Sequence, residues 1–475
     1  MAAFTVLRNP ALDAGMVASY PVNILPQDQG ITRKLYNFDF DEIPGVLRKR
    51  FGTRRLFELL PSACKGAVQF LAEGITPIYV AAASNKVYRE LNEEWIEIQP
   101  EGWIHDSATT CEFVSILGLL IISDGVNPSF SWNGTEVTVL EEMPKGNLMA
   151  ELRNRVFVAG ITEDPIALRG SHVGDPTLWS TTDPGSNAFM VYPGGDGAIT
   201  SILTVDDTLL IGKKYSLHML VGTTIYDFQV IPIDKNIGVG SHRSVKSIRG
   251  AAYFVSSEGE IFRLESGARP ERISSGIQDY TRQVNLSRIH EARAAVMEKY
   301  HYVITLPVGE VDFVTLVYDV MKRRWREFDL HMGATAVSPE VLGYCFTKPD
   351  GRQFFQLDPM YKTDEEEAID SYFETLEYHC GFPETEKEIN NLWLGVWCSD
   401  EEYYLFVEAN RDGQGWKTLT PSGVLVKGNK NDYKRIRIPV QEVCHNIQFR
   451  VRNSGLGDSV RILDMILTFI PKEME

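Results

Sequence analysis

The chain has 475 residues, with 47 basic and 64 acidic side chains, a formal net charge of −17 at pH 7, and 44% hydrophobic against 23% charged residues. That length predicts about two to four domains, each able to bury a core, and the composition excludes wholesale disorder. The longest apolar run, Ile116 to Ile122, falls far short of the roughly 20 residues of a membrane-spanning helix. The opening MAAFTVLRNPALDAG lacks the basic-then-apolar pattern of a secretory leader, so export by that route is not expected. The acidic balance argues against a protein that grips nucleic acid, because phosphate binding is driven by Lys and Arg displacing counterions. It is compatible with a surface past which DNA slides.

In chain order, residues 1–60 come first. Pro10, Pro21, Pro26 and Pro44 interrupt any long helix, which predicts an extended arm or platform. The arm carries the basic cluster Arg48, Lys49, Arg50, continued by Arg54 and Arg55. In an acidic chain this cluster reads as a docking strip for an acidic partner, a neighbouring subunit or a DNA backbone. The bland alternative is a solvated face.

Residues 61–360 are dominated by short β-branched and aromatic runs, cut by turn pairs such as Asp124-Gly125, Asn133-Gly134, Asp206-Asp207, Glu258-Gly259 and Asp350-Gly351. Strands this short with turns this frequent predict an all-β fold. One marker strand per unit begins near Ile78, Leu117, Arg155, Thr208, Ala252, Tyr302 and Leu342. The spacing centres on roughly 40 to 50 residues, the span of one four-stranded blade, which points to a β-propeller-like domain. Three segments share one pattern of strand, turn and aromatic strand: KVYRELNEEWIEI, PSFSWNGTEVTVL and LVYDVMKRRWREFDL. The best helical periodicity is Leu286 to Lys299.

The run Asp364-Glu365-Glu366-Glu367 predicts a solvated loop at a boundary and a candidate acidic partner for the basic strip. Beyond it, residues 370–475 alternate apolar and charged positions, as in Arg435-Ile436-Arg437-Ile438 and Ile447 to Arg452, the pattern of a C-terminal antiparallel β-sandwich.

Chemistry is sparse. Six scattered cysteines without a C-x-x-C pair read as buried thiols. The Gly-rich string from Tyr192 to Gly197 lacks the Lys-Ser/Thr of a phosphate loop. His172, and His242 beside Arg243, read as loop residues. Asp175, Asp183, Asp206 and Glu258 are the carboxylates a glycosidase would draw on, but acidic turn residues are expected in every unit. No catalytic, cofactor or metal residue is singled out. The chain reads as a non-enzyme, with a carbohydrate- or receptor-binding propeller as the alternative and a glycoside hydrolase third.

YPVNILP (Tyr20 to Pro26) followed by IPGVLRKRFGTRRL (Ile43 to Leu56) resembles the N-terminal arm of the tail hub, tail nozzle and packaged-DNA stabilisation proteins of short-tailed bacteriophages. GDPTLWST, TVDDTLLIGKKYSLHML, SVKSIRGAAYFVSSEGEIFRL and VYDVMKRRWREF follow in a similar order, and EANRDGQGWKTL with YKRIRI resembles the end of the stabilisation proteins. The resemblance implies a structural virion protein of the tail or head-to-tail connector. Such a protein assembles as a homo-oligomeric ring, usually of six copies, beneath the portal and adaptor. It would meet other tail proteins and pass genomic DNA without binding it specifically, helping to retain and then deliver the genome. The implied place of assembly is the host cytoplasm.

Overall fold

The structure is a computed structural model and describes residues 5–21, 25–72, 77–104, 110–183, 185–195, 197–334, 343–346, 351–399 and 401–472. It is almost entirely β, built from many small antiparallel sheets. Six four-stranded units are each made of consecutive strands, within residues 64–97, 112–140, 146–191, 199–234, 246–272 and 293–328; five are separate sheets and the sixth is one end of a ten-stranded sheet, each being called a small sheet below. The seventh takes three strands from the same run, Met332–Ala334, Gly343–Phe346 and Phe355–Asp358. Its fourth strand, Gly52–Arg55, comes from near the N-terminus, with Arg55 opposite Phe355 and Gly52 opposite Asp358.

The first strand of each sheet lies against the first strand of the next, from Cys64–Phe70 through Glu112–Ile116, Gly146–Leu152, Ile199–Val205, Lys246–Ile248 and Arg293–Met297 to Met332–Ala334. That last strand returns to Cys64–Phe70, so the cycle of contacts is closed. Neighbouring sheets share separate apolar clusters. Leu120, Ile122, Phe130 and Trp132 pack with Phe70, Val80 and Val87, while Phe157 and Leu168 pack with Ile202, Leu209 and Ile211. A sheet with two apolar faces cannot cover both alone, and stacking between neighbours covers each.

Two further sheets share one core. One runs Phe38–Phe40, Leu47–Lys49, Arg461–Pro471, Lys387–Trp397, Tyr433–Cys444, with Thr5–Asn9 also paired to Arg461–Pro471. The other runs Thr32–Tyr36, Ser371–Thr375, Ile447–Asn453, Tyr403–Arg411, Trp416–Thr418, with Val424–Val426 on Tyr403–Arg411. Leu392, Leu394, Ile438 and Leu467 of the first sheet and Phe373, Val407, Phe449 and Val451 of the second belong to one buried cluster. It continues into Tyr253, Tyr302 and Trp325 of the fifth and sixth four-stranded sheets. The parallel pair Tyr36 and Glu327 joins the second sheet to the sixth.

Two expectations change. Residues 1–60 are not a platform apart from both units. Leu12, Met16, Leu35, Phe38 and Leu47 are core residues, and the segment supplies strands to both C-terminal sheets and to the seventh small sheet. The prolines lie outside those strands, so they shape connections without removing a ladder hydrogen bond. Leu286 to Lys299 is not a helix. It divides into a 3-10 turn, Leu286–Glu291, and a strand, Arg293–Met297. Ala294 and Ala295 are both fully buried, so the strand has apolar residues on both faces and its alternation is blurred.

The seven marker segments correspond to the second strands of the seven sheets, although Leu342 itself lies outside the described residues, as does Asp350. The three strand–turn–aromatic segments are the third and fourth strands of the first, second and sixth sheets.

Candidate functional site

The basic strip divides. Arg50 is buried, donating from Nη1 and Nη2 to the two carboxylate oxygens of Asp364 at 3.0 and 2.5 Å, from Nη2 to Asp329 at 2.7 Å and from Nε to Asn37 Oδ1 at 3.0 Å. Lys49 is also buried, donating to Asn453 Oδ1 at 2.7 Å and to the carbonyl of Gly455 at 3.2 Å. Burial depresses its ammonium to about 8. Arg48 pairs with Asp39 at 3.3 Å and lies over the Phe51 ring at 3.9 Å. These three therefore do not form an exposed docking strip. Leu47 and Lys49 point inward along a strand paired on both sides, by Phe38–Phe40 and Arg461–Pro471, which carries the Lys49 ammonium to acceptors of this same chain. Arg54 and Arg55 remain exposed.

The expected acidic loop divides in the same way: Asp364 is buried against Arg50, whereas Glu365, Glu366 and Glu367 are exposed. Arg326 stands just after the turn of residues 321–323. It is fully buried and pairs with Asp39 at 2.9 Å, because it stands on the strand Arg324–Phe328 where the sixth sheet meets the C-terminal sheets.

The carboxylates weighed for hydrolysis stand in separate turns. Asp175 accepts from the backbone N–H of Thr177 at 2.9 Å, Asp206 sits in a hairpin at φ 49°, and Glu258 lies in the turn before Gly259. Among the described residues no group of three or more His, Cys, Asp or Glu side chains is arranged to hold a metal ion.

The first strands of the sheets converge on a cavity of about 370 Å³. Four charged side chains open strands around it or stand just before them: Glu112, Arg243, Lys246 and Arg293. Glu112 accepts from Arg243 Nε at 3.4 Å and faces His242 Nε2 at 3.8 Å. Arg243 also donates to the Lys65 carbonyl, tying the fifth sheet to the first and second. Arg293 reaches the carbonyls of Met332 and Gly333. Burial lowers the basicity of both Lys246 and His242, against the opposing pull of Glu112. Cys111, at the same wall, has its thiol pushed well up by burial and is chemically quiet. Five cysteines among the described residues (Cys64, Cys111, Cys380, Cys398 and Cys444) are buried and outside any disulfide. His242, read as a loop residue, therefore lines the cavity. The signal for the rest was faint: one charge at or near the start of an otherwise apolar strand, visible only once the repeats are superposed.

No protein-family model and no curated protein matches the chain. Solved structures with similar arrangements include the computationally designed Ika8 protein, at 14% identity and TM-score 0.40, over 64% of this chain and 98% of that one. A second is the extracellular domain assigned to a one-component system of B. thetaiotaomicron, at 11% identity and TM-score 0.43, over 82% of this chain and 47% of that one. A third is an exo-β-1,3-galactanase from Phanerochaete chrysosporium, at 8% identity and TM-score 0.30, over 88% of this chain and 100% of that one. With every TM-score below 0.5, these likenesses carry no functional argument.

Proposed function

We propose that this chain is a structural virion protein of the tail or head-to-tail connector of a short-tailed bacteriophage, and that it works by shape and self-association. In this reading the seven small sheets are the blades of a β-propeller and the two C-terminal sheets a β-sandwich. Copies assemble as a ring, six in number as the resemblance implies, beneath the portal and adaptor. The ring lengthens the DNA channel and helps retain and deliver the genome. The chemistry is that of a wall, without turnover.

The observation that carries the reading is the path of the N-terminal segment. Residues 5–49 supply strands to both C-terminal sheets, and Gly52–Arg55 completes the seventh small sheet, so one stretch of chain locks two units into one body. A wall element under internal pressure needs that rigidity. A net charge of −17 per copy also suits a surface that a polyanion must pass without adsorbing. A cyclic ring joins unlike patches of neighbouring copies, and the exposed Arg54 and Arg55 remain as the part of the basic strip open to such a partner.

Negative-stain imaging of the purified protein, alone and mixed with portal–adaptor complexes, tests this. Closed rings with sixfold averages are expected. Discrete monomers in both samples would overturn the proposal.

A further inference from the structure

The cavity ringed by the first strands holds cationic groups that the fold does not use up. Arg243 is committed to Glu112 and to the Lys65 carbonyl, and Arg293 to two carbonyls of the seventh sheet. Lys246 is different. Its charge is felt by Glu112 and Arg243, yet its ammonium makes no hydrogen bond to any described residue. His242 stands beside it, with Nδ1 enclosed in the wall and making no hydrogen bond to a described residue. Both side chains line the same cavity.

Placing an ammonium in a recess without a bonded acceptor costs stability unless something occupies the place. The remaining acid at this wall does not fill it. Glu112 is held by Arg243 and His242, and Glu151 turns its carboxylate back onto the N–H of Asn154 at 2.9 Å. The recess is therefore cationic inside a chain that is acidic as a whole, and its volume lies at the lower end of small-molecule sites.

We propose that this cavity binds a small oxyanion of the phosphate or carboxylate type, which accepts a hydrogen bond from Lys246 Nζ, with Arg243 and Arg293 supplying the surrounding positive potential and His242 shaping the wall beside it. The site belongs to a single chain and does not depend on ring assembly, so its failure and that of the ring are separately visible.

Isothermal titration of the full chain with inorganic phosphate, and separately with acetate, at ionic strength held constant with chloride, tests the site. One saturable site per chain is expected. Lys246→Met should weaken it at least tenfold and His242→Gln severalfold, while the exposed-surface control Lys235→Met leaves it unchanged. Thermal melting in parallel should show the anion raising the wild-type Tm but not that of Lys246→Met. The apolar variant should fold, since it removes a desolvated charge. Saturation by phosphate alone or by acetate alone assigns the anion class. No saturable binding of either, or Lys246→Met binding like wild type, overturns the proposal.

Discussion

Arg50 and Asp364 stand 314 residues apart in the chain and meet in a two-point ion pair, with the arginine side chain only 1% exposed. Asp364 is fixed from its other side by Thr53 Oγ1 at 3.0 Å, and Asp329 shares the same guanidinium. The pair sits where the N-terminal strands, the end of the sixth sheet and the loop after the seventh converge.

Arg50→Ala should therefore destabilise the fold by about 3–5 kcal/mol, because it strands a buried carboxylate whose partner has gone. Asp364→Asn should cost less, since Asp329 still faces Arg50. A double-mutant cycle by urea unfolding should show that the two losses do not add.

Closure of the seventh sheet depends on a close approach at Gly52. A Cβ there would meet the backbone of Thr363, with its carbonyl oxygen at 2.1 Å and its nitrogen at 2.5 Å. Gly52→Ala should lower stability by about 1–3 kcal/mol through forced displacement of that loop. A fall in urea midpoint checks it.

His301 and Asp319 face each other at 3.6 Å, with Glu298 at 3.2 Å on the other ring nitrogen. Burial and Arg326 work against the imidazolium, but hydrogen bonds to Asp319 and Glu298 prevail and raise it above 6.5. Burial likewise works against the Asp319 carboxylate, yet bonds from His301 and the Lys322 N–H lower it to about 2 from 3.8. A raised histidine contributes stability fully below pH 6.5 and loses it as pH climbs through its folded value. A depressed carboxylate contributes fully above pH 3.8 and loses it as pH falls towards 2. Stability should thus have a plateau between about pH 4 and 6.5 from this pair, and His301→Gln should flatten the alkaline limb in a series of melts.

Among the buried thiols, Cys380 and Cys444 are pushed up to about 12, chiefly by burial. Since the thiolate is the reactive form, thiol titration of the native protein at pH 8 should leave Cys64, Cys111, Cys380, Cys398 and Cys444 unmodified, and denaturant should release them.

Double charge reversal, Arg54→Glu with Arg55→Glu, should weaken ring or adaptor binding with little change in Tm, because both side chains are exposed, Arg54 making only long polar contacts and Arg55 one hydrogen bond to the nearby Phe57 carbonyl. Assembly at wild-type strength would remove these residues from the interface.

The repeats were legible because the second strand of each of the first six small sheets is buried on both faces and so forms the longest apolar run. Thr208–Lys213 and Ala251–Val255 are examples. The N-terminal strands were not, because apart from the short hairpin of Phe38–Phe40 and Leu47–Lys49 they pair with residues hundreds of positions away, and a five-residue segment such as Thr5–Asn9 has no local pattern of its own. Opposite charge at Arg50 and Asp364 was visible, but charge alone does not say whether a pair closes within one molecule or between two. The cavity was hidden for a related reason: Glu112, His242, Lys246 and Arg293 come from three different sheets and their connections, and none is unusual alone.

The strand Gly52–Arg55 is made early, but Phe355–Asp358 leaves the ribosome only after six intervening sheets. Synthesis must therefore be nearly complete before the molecule can latch, and until then its edges stay open to wrong partners. Once latched, the cycle of small sheets is closed by a strand that enters from the other end of their run. A closure made so late in synthesis is also the one whose unclasping opens a route to unfolding, so the persistence of the folded chain is expected to follow a rate as much as an equilibrium.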